Sequence, residues 1–155
     1  MSFRILGLSS APFEPLFGLP DEALAERNVR RILVEDPHSA PCRITLEDAA
    51  PGERLLLLSY EHQGACSPFR ACGPIFVRET TEAAYDEVGQ VPDVLRRRTL
   101  SARGYDPDGM MIKGQVVEGT RLEGLLRDWL ADPGVDVVHL HYASRGCYGA
   151  RAVRT

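Results

Sequence analysis

Four consecutive leucines, Leu55–Leu58, follow the turn signal Pro51-Gly52-Glu53 and run into the polar stretch Ser59-Tyr60-Glu61-His62-Gln63. Successive side chains of a strand point to opposite faces, so an unbroken apolar run must be covered on both. The run is short and bounded by turn residues, which marks a buried strand rather than a helix. It reads as the centre of a sheet. Its polar end then carries a glutamate and a histidine out of the core.

The remaining elements follow from local signals. Phe3–Leu8 reads as a first strand, after which Pro12, Pro15, Gly18 and Pro20 interrupt regular structure. Asp21 is placed to cap a short helix through Asn28. Val29–Val34 and Cys42–Leu46 read as strands. Ser67–Pro74 reads as loop, and Ile75–Arg78 as the strand that follows. Thr80 or Thr81 would cap a helix through Val88, closed by Gly89. Pro92 opens another short helix through Arg98. Leu100–Tyr105 and Met110–Val117 pair as a hairpin around Asp106-Pro107-Asp108-Gly109, with Met110 and Met111 in the core. Over Thr120–Leu130, the stripe Leu122, Leu125, Leu126, Trp129 and Leu130 predicts an amphipathic helix, with Thr120 and Glu123 as its capping box. A terminal hairpin from Val135 closes the chain. Strands dominate and do not alternate regularly with helices. The expectation is a single α+β domain over residues 1–155, with a mainly antiparallel sheet.

Composition removes several function classes. The net charge is −4, against the basic surface that nucleic-acid binding requires. The run Arg96-Arg97-Arg98 reads as a solvated helix face. No apolar stretch approaches the ~20 residues of a membrane helix. The first residues lack the apolar core and cleavage site of a secretory leader. A cytoplasmic protein with four reduced cysteines is expected. Lys113 is the one lysine among 18 basic residues, which suggests a GC-rich bacterial genome. No G-x-G-x-x-G, P-loop, G-x-S-x-G or H-E-x-x-H string occurs.

Several strings carry a family likeness: His62-Gln63, Ser67-Pro68-Phe69-Arg70, Gly73-Pro74-Ile75-Phe76-Val77-Arg78-Glu79 and Tyr85-Asp86-Glu87-Val88-Gly89. Arg103-Gly104-Tyr105-Asp106 with Gly109-Met110-Met111 adds to it. So does the closing His139-Leu140-His141-Tyr142-Ala143-Ser144-Arg145-Gly146-Cys147. Together they resemble the bacterial family catalogued as domain of unknown function 1203, over nearly the whole chain. The resemblance implies relatives and no particular reaction.

The chemistry-bearing residues allow four arrangements. His139 and His141, two apart on a strand, share a face and could hold one metal, with a third ligand from His62, Glu61 or Cys147. His62, Cys66 and Cys72 form a second ligand spacing. Cys147, beside Arg145 and the histidines, is a candidate nucleophile. Arg70, Arg78, Arg103 and Arg145 sit at strand ends or loops, where guanidinium forks bind carboxylate or phosphate. With His62 and His141 they would line a cleft for a small anionic ligand, and this is the working expectation. A metal-dependent enzyme using the paired histidines and a non-catalytic interaction domain are the alternatives. The sequence names no cofactor.

Overall fold

The structure is a computed structural model that describes residues 2–155. Among the described residues, nine strands and three short α-helices form the α+β architecture expected from the element order. The strands are β1 (Phe3–Leu6), β2 (Arg30–Leu33), β3 (Arg54–Gln63), β4 (Ala71–Val77), β5 (Asp86–Val88), β6 (Thr99–Tyr105), β7 (Met111–Glu118), β8 (Val137–Tyr142) and β9 (Tyr148–Arg154). The helices are α1 (Asp21–Glu26), α2 (Asp93–Arg96) and α3 (Leu122–Ala131).

The strands divide between two antiparallel sheets. Six form one in the order β5-β1-β9-β8-β6-β7; three form the other in the order β2-β3-β4. The leucine run is therefore central, but in the smaller sheet. Leu55, Leu56 and Leu58 are buried and Leu57 is partly so. Their core includes Phe13, Leu24, Ile44, Ile75 and Val77. Pro74 lies on β4, an edge strand, where its missing N–H is tolerated.

The larger sheet carries α3 on one face. Leu122, Leu126 and Leu130 pack with Phe3, Ile5, Leu100, Ala102, Val138, Leu140, Ala150 and Ala152. On β8 the alternation is clean, so Val138, Leu140 and Tyr142 serve this core while His139 and His141 take the opposite face.

Several local expectations are corrected. Cys42–Leu46 forms no strand. It is a tight turn held by isolated bridges, with Leu46 N–H donating to Cys42 O and Leu46 at φ 52°. The segment expected to be a helix through Val88 contains no helix and ends in strand β5. Tyr85 N–H donates to Ile44 O, Gly7 N–H donates to Tyr85 O, and β5 pairs with β1. Those sheet-type bonds outweigh a helical preference worth a few tenths of a kcal/mol per residue. The capping box at Thr120 does not form; Gly119–Arg121 make a 3-10 turn and α3 begins at Leu122. Ser67–Pro74 is not all loop, because β4 begins at Ala71. Met110 is exposed rather than in the core.

Gly119 has a specific packing role. A Cβ there would lie 1.9 Å from Leu95 O and 2.6 Å from Arg96 O, so the end of α2 sits directly on its Cα. Helix α2 is thereby pinned to the turn that enters α3.

Candidate functional site

His139 and His141 stand on the face of β8 that α3 does not cover. Both are buried, His141 to 1% exposure. Register on either side determines their neighbours. Arg103 and Ser101 of β6 lie opposite His139 and His141. Arg151 and Tyr148 of β9 lie opposite the same two residues.

The third histidine arrives from the other sheet. Pairing of β3 with β4 slips between Glu61 and Gln63, so His62 is the unpaired residue at the irregularity. Such slips re-aim a side chain. Here the His62 ring meets His141 edge-on at 4.8 Å between centroids and lies 6.4 Å from His139. Tyr148 stacks on His62 at 5.6 Å with the planes 8° apart, and Tyr105 lies 4.8 Å from His139. Each histidine offers one ring nitrogen, and the three nitrogens lie within 4.8 Å of one another.

The hydrogen bonding of these rings is incomplete. His141 Nδ1 lies 2.8 Å from Gly146 O, so it must carry the proton and donate. Its Nε2 is then a bare lone pair, buried and without a partner. Nδ1 of His62 and Nδ1 of His139 are likewise buried and unpartnered. A buried polar atom left unpaired costs about 1–3 kcal/mol.

Burial disfavours the charged form of all three rings. Burial, reinforced by His141, His62, Arg151 and Arg103, pushes His139 down to about 3. Burial also takes His141 to about 4, against the hydrogen bond to Gly146 O, with Arg103 acting in the same direction as burial. His62 is lowered by burial and then by Arg103. Neutral imidazole is the form that ligates metals. A cavity of 440 Å³ reaches His62 and His139, with Arg151 and Asp136 also on its wall.

The other expected site residues fall elsewhere. Arg70 pairs with Glu61 at the surface. Arg78 donates to Thr45, Glu47 and Glu53 beside the smaller sheet. Arg145, on the turn between β8 and β9, lines a different cavity with Arg43, Tyr142 and Cys147. Of the four arginines named from sequence, Arg103 is the one beside the histidines. Cys147 accepts a hydrogen bond from Arg43 Nη2 at 3.2 Å. Cys66 and Cys72 are exposed and outside the histidine group. Arg151, Tyr148 and Tyr105 were missed. Only the period-two alternation of β9 hinted at Arg151, and its strand partner was not legible.

The fold and site define a two-sheet α+β protein in which two buried histidines and a third, partly buried one converge between the sheets. The chain belongs to the family described as protein of unknown function (DUF1203), whose model matches residues 39–154. That span contains all three histidines, whereas β1 and β2 precede it. Neither the curated proteins nor the solved structures searched contain a match.

Proposed function

We propose that this protein binds a divalent metal through His62, His139 and His141, and uses it on a small anionic molecule. The observation that carries the reading is the convergence of three histidines, one ring nitrogen of each within 4.8 Å of the others, with a buried, unpartnered nitrogen on every ring. A metal ion where the three rings converge would supply a partner that the surrounding protein does not. Three histidines and an open fourth position make a catalytic type of zinc site. An ion central to nitrogens no more than 4.8 Å apart would sit at most about 2.8 Å from each, so a ring need close by no more than about 0.7 Å to reach a normal zinc–nitrogen bond.

The flanking charges argue for the substrate class. Arg103 and Arg151 sit across from His139 on both neighbouring strands. They favour an anion at the open position, as hydroxide or as a substrate carboxylate or phosphate. A metal there lowers the pKa of bound water and polarises a substrate oxygen. This keeps the anionic ligand of the working expectation and replaces most of its arginines by Arg103 and Arg151.

The acidic balance of the chain supports a partner other than nucleic acid. No helix among the described residues is long and apolar enough to cross a membrane. The four free cysteines and the arginine-rich basic set support a bacterial, cytoplasmic setting.

The test is metal stoichiometry. Untagged protein, stripped by chelator, is titrated with zinc, nickel and manganese by calorimetry. About one equivalent of at least one metal is expected, with binding lost in His139→Ala and in His62→Ala. Less than about a tenth of an equivalent of each metal defeats the reading.

A further inference from the structure

We infer that the protein has a second, metal-independent site: a small-oxyanion pocket behind the turn between β8 and β9, with Arg43 at its base and the Cys147 thiol on its wall. Arg43 is the unusual element. It is 1% exposed, and no carboxylate pairs with it among the described residues. Its guanidinium donates to two backbone carbonyls, Tyr148 O and Pro41 O, and to Cys147 Sγ. A buried cation lacking a counter-charge is costly and is normally paired.

A second observation points the same way. Tyr142 is nine-tenths buried, its hydroxyl has no hydrogen-bond partner, and it lines the same cavity as Arg43. Two guanidiniums lie over its ring, with the Arg43 and Arg98 carbons 5.0 and 5.2 Å from the centroid. Arg98 is neutralised by Asp48 at 2.7 Å, so the excess positive charge stays with Arg43. The cavity measures 260 Å³, and Ser144 and Arg145 stand at it as exposed residues of the turn. A buried cation, an orphan hydroxyl, a serine and a mobile-length arginine head suit a carboxylate or a phosphate monoester. The pocket shares no wall residue with the cavity at His62 and His139.

Cys147 is the built-in reporter. Iodoacetate and iodoacetamide alkylate thiols by the same displacement, in which the S–C bond forms, iodide leaves and the thiol proton goes to solvent. They differ in that the first carries a carboxylate. The exposed Cys66 and Cys72 are internal references. Peptide mass spectrometry on metal-stripped protein gives the iodoacetate-to-iodoacetamide rate ratio at each cysteine. The ratio at Cys147 is expected to exceed that at Cys66 by about tenfold and to collapse toward it in Arg145→Ala. Inorganic phosphate at millimolar concentration should slow alkylation of Cys147 and leave Cys66 unchanged.

Equilibrium dialysis of labelled phosphate reads the pocket without the thiol, with about one equivalent expected and loss in Tyr142→Phe and Arg145→Ala. Equal ratios at all cysteines overturn the assignment. So does an unreactive Cys147 in a protein that binds no phosphate. Because the metal has been removed, neither result depends on the three-histidine centre.

Discussion

Acidifying metal-free protein from pH 7 to pH 5 should lower its folding stability by about 4 kcal/mol. The perturbation acts on His139 and His141, held near 3 and 4 in the fold against an ordinary 6.5. Well above pH 6.5 neither state binds a proton at these rings and no stability is lost. Below it the unfolded chain takes up protons that the fold refuses, so stability falls as pH drops. At pH 5 each ring lies about 1.5 pH units below its unfolded value, which is about 2 kcal/mol apiece. His62 is displaced in the same direction and adds to the loss. The lowered carboxyls, Asp48, Glu53 and Glu79 among them, start from 3.8 or 4.5 and act mainly below this window. Trp129, the one tryptophan, is buried against α3's core and supplies the fluorescence signal. Urea unfolding at pH 7 and pH 5, with equal slopes, gives the difference directly. A domain stable by 5–15 kcal/mol in total would feel it strongly. A change under about 1 kcal/mol would show that these rings protonate within the fold and would refute the reasoning. With metal bound the pH dependence should steepen, because ion release accompanies protonation of its ligands.

Two further outcomes follow from packing. Gly119→Ala puts a methyl 1.9 Å from a backbone oxygen, so a loss of about 2–3 kcal/mol and a melting temperature lower by roughly 5–10 °C are expected; an unchanged melting curve in differential scanning calorimetry would contradict the close approach. Asp48→Asn removes the charge that pairs Arg98, and a loss of about 2 kcal/mol in urea unfolding at pH 7 is expected; no measurable loss would mean that solvent already screens the pair.

Much of the candidate site was legible in the sequence, and the missing part has a clear cause. His139 and His141 share a face because strand side chains repeat every two residues, and that is a local property. His62 was marked by the polar residues ending the leucine run, and it was named among the third-ligand choices. Its arrival beside β8 depends on the register slip at the end of β3 and on one sheet packing over another. Neither leaves a periodic trace. The arginines misled for a similar reason: a guanidinium at a strand end is visible in sequence, but its carboxylate is not. Arg78 is separated from Glu47 and Glu53 by 31 and 25 positions.

By itself the sequence determined the elements whose signals are local: the doubly covered leucine strand, the α3 stripe, the hairpin around Asp106–Gly109 and the paired-histidine face. Tertiary structure alone decided that the leucine strand lies at the centre of its own small sheet and that Tyr85 is tied by backbone bonds to Ile44 and Gly7. It also decided that His62 completes the cluster and that Cys147 turns instead to Arg43. Local propensities are worth tenths of a kcal/mol per residue, whereas the backbone bonds and burial that override them come from partners distant in the chain.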